Sequence, residues 1–172
     1  MKTQLLTLFI ALCSVAVQCQ DGLQTRAVAY LTGSEGKVEG NATFTQEDCD
    51  QNLSITAYVT GLSPGLHGFH IHEKGDLTNA CFGLKNAFNP YNVDPTKARI
   101  FGDLGNLEAN DEGIIDAILQ NDKINFCGEV SIIGRGLIVH YSETILKNGF
   151  GPPCSTTQKT NCGVACGVIG IM

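Results

Sequence analysis

His67, His70 and His72 stand within six residues of one another, in Gly65-Leu66-His67-Gly68-Phe69-His70-Ile71-His72-Glu73, and His140 ends a distant apolar run, Ile138-Val139-His140; these are all four histidines of the chain. Alternate side chains of an extended strand share a face, so His70 and His72 project together while His67 points to the other side. Two imidazoles from one strand and a third from another make a three-nitrogen site that leaves a position open for water or substrate. By affinity order and geometry that donor set suits copper best, and it admits zinc or another divalent metal. A single strand histidine is commonly a satisfied core or surface residue. The grouping is what makes His70, His72 and His140 the metal candidates.

The elements that must carry these residues are strands. Short runs that alternate or are continuously apolar recur at Arg26 to Leu31, Lys37 to Thr45, Ser54 to Val59, Gly68 to His72, Gly113 to Leu119, Ser131 to Ile133, Leu137 to His140 and Gly163 to Ile169. Runs of this length between Gly, Asn and Asp turns indicate an all-β sandwich or barrel. No sustained helical period, internal repeat or low-complexity linker interrupts the pattern. Two long segments without periodicity, Lys74 to Phe101 and Tyr141 to Cys162, flank the histidine strands, and loops of that size are usually functional or covalently tied.

Residues 1–19 carry Lys2, an apolar run from Leu5 to Val17 and a small or polar end, the layout of a cleaved secretory signal rather than a membrane span. Residues 20–172 then form one domain, long enough to bury a full core without needing a partner. No later run is apolar for long enough to cross a bilayer. A formal net charge of −6 argues against nucleic acid or an anionic membrane as partner. With Cys13 and Cys19 in the signal, Cys49, Cys81, Cys127, Cys154, Cys162 and Cys166 remain, an even set in an oxidising compartment. Disulfides are the default reading, and spacing alone leaves many pairings open. Asn41-Ala42-Thr43 and Asn52-Leu53-Ser54 are glycosylation sequons, which also fits secretion.

The histidine motifs, in order with Gly102-Asp103-Leu104-Gly105-Asn106, Ile132-Ile133-Gly134-Arg135 and Ala165-Cys166-Gly167-Val168-Ile169-Gly170, closely resemble the copper/zinc superoxide dismutase family over about Ala27 to Ile171. The resemblance implies a flattened eight-stranded Greek-key barrel with a metal-binding loop and an electrostatic loop over the active site. His70, His72 and His140 match its copper ligands, and His67 matches a structural hydrogen-bonding histidine. Of the zinc set only Asp103 remains, for which a hydrogen-bonded turn with Asn106 is the expected role. Ala87, just before Phe88-Asn89-Pro90, stands where the family has its bridging histidine, and Ile100 where a zinc histidine belongs. Thr144 replaces the aspartate that ties the two metal ligands together from behind. Gly163 replaces the arginine that docks the superoxide anion, with Lys85, Lys147 and Lys159 as partial substitutes. The resemblance also implies the disulfide Cys81–Cys166; the family's strand order makes Cys49–Cys127 a natural pair, and Cys154 and Cys162 are then expected to pair within the electrostatic loop. It places Gly75, Ile133, Gly134 and Ile171 at a homodimer interface.

The function expected from this pattern is that of a secreted, dismutase-like metal-binding protein with a copper-type site and no separate zinc site. Little or no dismutase activity is expected, and an extracellular metal carrier is the leading role. It resembles the dismutase-like haemolymph proteins of bivalve molluscs, the cavortin and dominin type. The alternatives are a copper-only extracellular dismutase and a metal-independent defence or interaction protein.

Overall fold

The computed structural model describes residues 25–33, 36–144 and 163–172. The leader, Lys147, Lys159 and the Cys154–Cys162 pair lie outside the described residues. Eight strands follow one antiparallel path: β1 (Thr25–Thr32), β2 (Glu39–Gln46), β3 (Leu53–Thr60), β4 (Gly65–His72), β6 (Asp103–Ala109), β7 (Ile115–Asn121), β8 (Gly136–His140) and β9 (Gly163–Val168). Their order is β6-β4-β8-β9-β1-β2-β3-β7, with the two-residue β10 (Gly170–Ile171) beside β1 and a short β5 (Thr78–Cys81) in the loop after β4. β1, β2 and β3 form a meander, whereas β4 pairs with β6 and β8 instead of its sequence neighbour, so the chain crosses between two halves of one barrel-like sheet. This is the expected all-β, eight-stranded Greek-key architecture.

Strict alternation builds the interior. In β3, Leu53, Ile55, Ala57 and Val59 are fully buried, and in β1 Ala27, Ala29 and Leu31 face the same core with Phe44, Phe69, Ile115, Leu137 and Val139. The outward side chains of these strands are polar or half exposed, as period-2 patterning requires. β8 differs because all five of its residues are buried. Leu137 and Val139 enter the barrel, while Ile138, on the other face, packs with Leu84 and Cys166 under the loop that follows β4.

Two strand expectations need correction. Ser131 to Ile133 is not a strand: Ser131 makes one isolated bridge to Asn125, and Ile132 plugs the barrel as a buried loop residue. Conversely, Asp103–Ala109 is a full strand, hidden in the sequence because Gly105, at φ +96°, breaks its alternation. The register of β4 against β6 shifts opposite it, between Gly68 and His70.

Among the described residues two disulfides fasten the barrel. Cys49–Cys127 joins the turn before β3 to the segment after β7, and Cys81–Cys166 joins the β4–β6 loop to β9. Among the described residues no helix is long and apolar enough to cross a membrane.

Candidate metal centre

β4 and β8 are antiparallel neighbours, with His70 opposite Ile138 and His72 opposite Gly136. This register puts His70, His72 and His140 on the outer face of the barrel wall, under the β4–β6 loop. All three are buried, and one nitrogen from each lies within 4.8 Å of the others. Among the described residues this is the one such grouping of three potential ligands.

The tautomers follow from acceptors that cannot donate. The Lys85 carbonyl stands 2.7 Å from His72 Nδ1, so Nδ1–H donates to it and the Nε2 lone pair is left. That Nε2 is buried without a hydrogen-bond partner. His70 Nδ1 and His140 Nε2 face each other at 3.1 Å, while His70 Nε2 lies 3.1 Å from the Thr144 hydroxyl and 3.7 Å from Asp103 Oδ1. Ligand nitrogens about 2 Å from a shared ion lie roughly 3–4 Å apart, close to the spread seen here. Burial drives both imidazoles to the neutral, ligating form. The His70 pKa falls to about 3, mainly through desolvation and then through the charges of His72 and Arg99. His72 is also lowered by desolvation, against the opposing pull of the Lys85 carbonyl. An orphaned buried lone pair, two facing nitrogens and neutral rings together fit a soft-to-borderline metal cation.

His67 lies outside the donor group. Its Nδ1 contacts the His140 carbonyl at 2.7 Å and its Nε2 the Ser63 carbonyl at 2.8 Å, so its ring clamps the start of β4 to the end of β8. Asp103 opens strand β6 rather than forming a turn with Asn106, and its Oδ1 accepts from the Gly105 N–H at 2.8 Å. Asn106 instead clasps Thr144: its Oδ1 accepts the Thr144 N–H at 2.9 Å and its Nδ2 donates to the Thr144 carbonyl at 3.3 Å. Thr144 is thereby held where its hydroxyl reaches His70. The Thr144 hydroxyl thus fastens the His70 ring from behind.

The residues at the other expected positions are short or apolar. Ala87 is buried and bridges His72 through its backbone, and Ile100 is buried nearby in sequence. Gly163 packs so close to the Cys81–Cys166 bridge that a methyl there would stand 2.9 Å from Cys81 Cβ. Lys85 contributes its carbonyl to His72. Sequence reasoning did not single out Arg99, whose Nη2 donates to the Asp103 carbonyl at 2.8 Å and whose Nε lies 3.5 Å from Asp103 Oδ2. The only signal was its four-residue separation from Asp103, which carries meaning on a helix and little in a loop.

Comparison with known proteins bears on this geometry. The family model for copper/zinc superoxide dismutase (SODC) matches residues 38–169. An extracellular superoxide dismutase [Cu-Zn] of Drosophila melanogaster is 44% identical over 181 aligned positions, covering 98% of both chains. A superoxide dismutase [Cu-Zn] of Onchocerca volvulus is 41% identical, covering 87% of this chain and 98% of its own. An extracellular superoxide dismutase [Cu-Zn] of Brugia pahangi is 40% identical, covering 84% of this chain and 75% of its own. With the eight-stranded barrel, its buried histidine triad and a match across most of its length, the chain belongs to the copper/zinc superoxide dismutase family.

Proposed function

We propose that this protein is a secreted, copper-only member of the family that disproportionates superoxide at His70, His72 and His140, slowly and without a second metal position. The observation that carries the copper site is the orphaned, buried His72 Nε2 aimed at the other two donors. Relatives named as extracellular dismutases support both the secretory reading of residues 1–19 and the reaction class. They weigh for turnover over the carrier role expected from sequence.

Copper held there supplies a one-electron carrier, which lets two superoxide anions and two protons become dioxygen and hydrogen peroxide. The chain's own residues set how well this runs. Lys85 and Thr144 fix the two β4 imidazoles from behind, so the donors are oriented before metal arrives. Ala87 offers no proton carrier beside the site, so the protons come from water. Gly163 offers no guanidinium to dock the anion, which lowers both affinity and capture rate.

Ala87 and Gly163 favour a second reading, an extracellular copper carrier of the bivalve haemolymph type with negligible turnover. The exposed apolar pair Ile171 and Met172 supports a homodimer in either case. Superoxide decay followed in the presence of copper-loaded protein separates the two. Under the enzymatic reading, decay accelerates catalytically, with a rate constant well below the ceiling of about 10⁹ M⁻¹s⁻¹, and His72→Ala abolishes it. Stoichiometric copper binding without catalytic decay would leave the carrier reading in its place.

A further inference from the structure

The outer face of β1, β2 and β3 carries an arrangement that the metal centre does not use. In register across these strands, Asn41 is paired with Tyr30 on one side and Tyr58 on the other. Both tyrosines are solvent-exposed, at 70% and 45%, while Ala42 and Phe44 of the same strand point into the core. Asn41 therefore shares the outer face with two aromatic rings, and directly opposite residues in a sheet have Cβ atoms only about 4.5–5.5 Å away. Asn41 is also the first residue of the sequon Asn41-Ala42-Thr43, and its side chain makes no hydrogen bond or ion pair among the described residues. The second sequon residue, Asn52, sits at an exposed turn among Glu47, Asp50 and Gln51, without an aromatic neighbour in that pocket.

We infer that Asn41 carries an N-linked glycan whose first sugar lies over Tyr30 and Tyr58, so that the oligosaccharide covers this sheet face. The inference rests on the secretory reading above. In the transfer, Asn41 Nδ2 forms a bond to C1 of the first sugar, the bond from C1 to the diphosphate of a lipid-linked oligosaccharide donor breaks, and the amide gives up one proton. Only the chain's entry into the secretory pathway is needed, because the donor is supplied there. Once attached, the sugar's C–H face meets aromatic rings that otherwise stand in water, removing apolar surface from both. The covered face also loses its capacity to associate with a second apolar surface. At Asn52 a glycan has no such platform and extends into solvent.

The full chain with its own leader, expressed in a secretory eukaryotic cell and collected from the medium, provides the test. Endoglycosidase trimming to a single N-acetylglucosamine and peptide mass mapping report occupancy at Asn41 and Asn52. The trimmed protein is expected to melt about 2–4 °C above Asn41→Gln, the shift of one aromatic contact in a domain of this length. In a Tyr30→Ser/Tyr58→Ser background that gap should close to within about 1 °C, while the effect of Asn52→Gln should not depend on the tyrosines. Secreted protein with a bare Asn41, or a gap that survives loss of both rings, overturns the inference and leaves the secretory reading standing. Retention of the chain inside the cell with the leader uncleaved overturns both.

Discussion

At the scale of single residues, the metal site depends on what holds the rings of His70 and His72. Thr144→Val removes the hydroxyl 3.1 Å behind His70 and keeps the size of the side chain. Copper affinity should fall about 10–100-fold, as is usual when a ligand's supporting hydrogen bond is lost, with the fold unchanged; competition against a chelator of known affinity reads this out. Gly68→Ala should give a similar loss by another route, because a methyl there would collide with the Thr144 hydroxyl. The burial of His70 makes a prediction about pH for the metal-free protein. Its pKa is about 6.5 when unfolded and about 3 when folded, so between those values the unfolded chain binds the extra proton. Stability from this residue is full above pH 6.5 and is lost as the pH falls toward 3. His72 shifts in the same direction. Melting temperature of the metal-free protein should fall as the pH drops across this range, and copper should not flatten that fall, because the folded rings are already unprotonated and the unfolded chain takes up the same protons in either case. A distinctly shallower profile for the copper-loaded protein would argue against ligation by these rings.

At the scale of elements, most strands were legible because one face of each is buried and period-2 alternation survives in β1, β2, β3 and β7. Where both faces are covered or a glycine resets the register, the sequence misled: Asp103–Ala109 looked like a turn, and Ile132 looked like part of a strand. The histidine pairing was legible from parity alone, since His70 and His72 are two apart on β4. The Lys85 carbonyl and the Asn106–Thr144 clasp were not, because backbone acceptors and contacts 38 residues apart leave no local pattern. Cys81–Cys166 ties the loop bearing Lys85 to β9 across a sequence separation of 85. Replacing both cysteines by alanine should destabilise the domain by about 2–4 kcal/mol in a denaturant titration. It should also weaken copper binding, since the carbonyl that fixes His72 sits on the freed loop. Unchanged copper affinity would show that the loop is held by packing of Leu84 against Ile138 alone.

At the scale of the whole molecule, a barrel of this family carries a three-histidine site in a chain of formal net charge −6, with Gly163 where the resemblance implies an anion-docking arginine. An anionic substrate approaching such a surface is repelled overall, so salt should screen repulsion instead of weakening attraction. The second-order rate constant with superoxide is expected to stay flat or rise as ionic strength increases from about 0.01 to 0.15 M, whereas a steered site loses rate over the same interval. The measurement that bears most directly on the central claim is a copper titration of the purified protein followed by electron paramagnetic resonance. One Cu(II) per chain, with hyperfine structure from three nitrogens that is lost in His72→Ala, is the predicted result. Copper bound with the same spectrum in His72→Ala, or no tight copper at all, would contradict the site built from His70, His72 and His140.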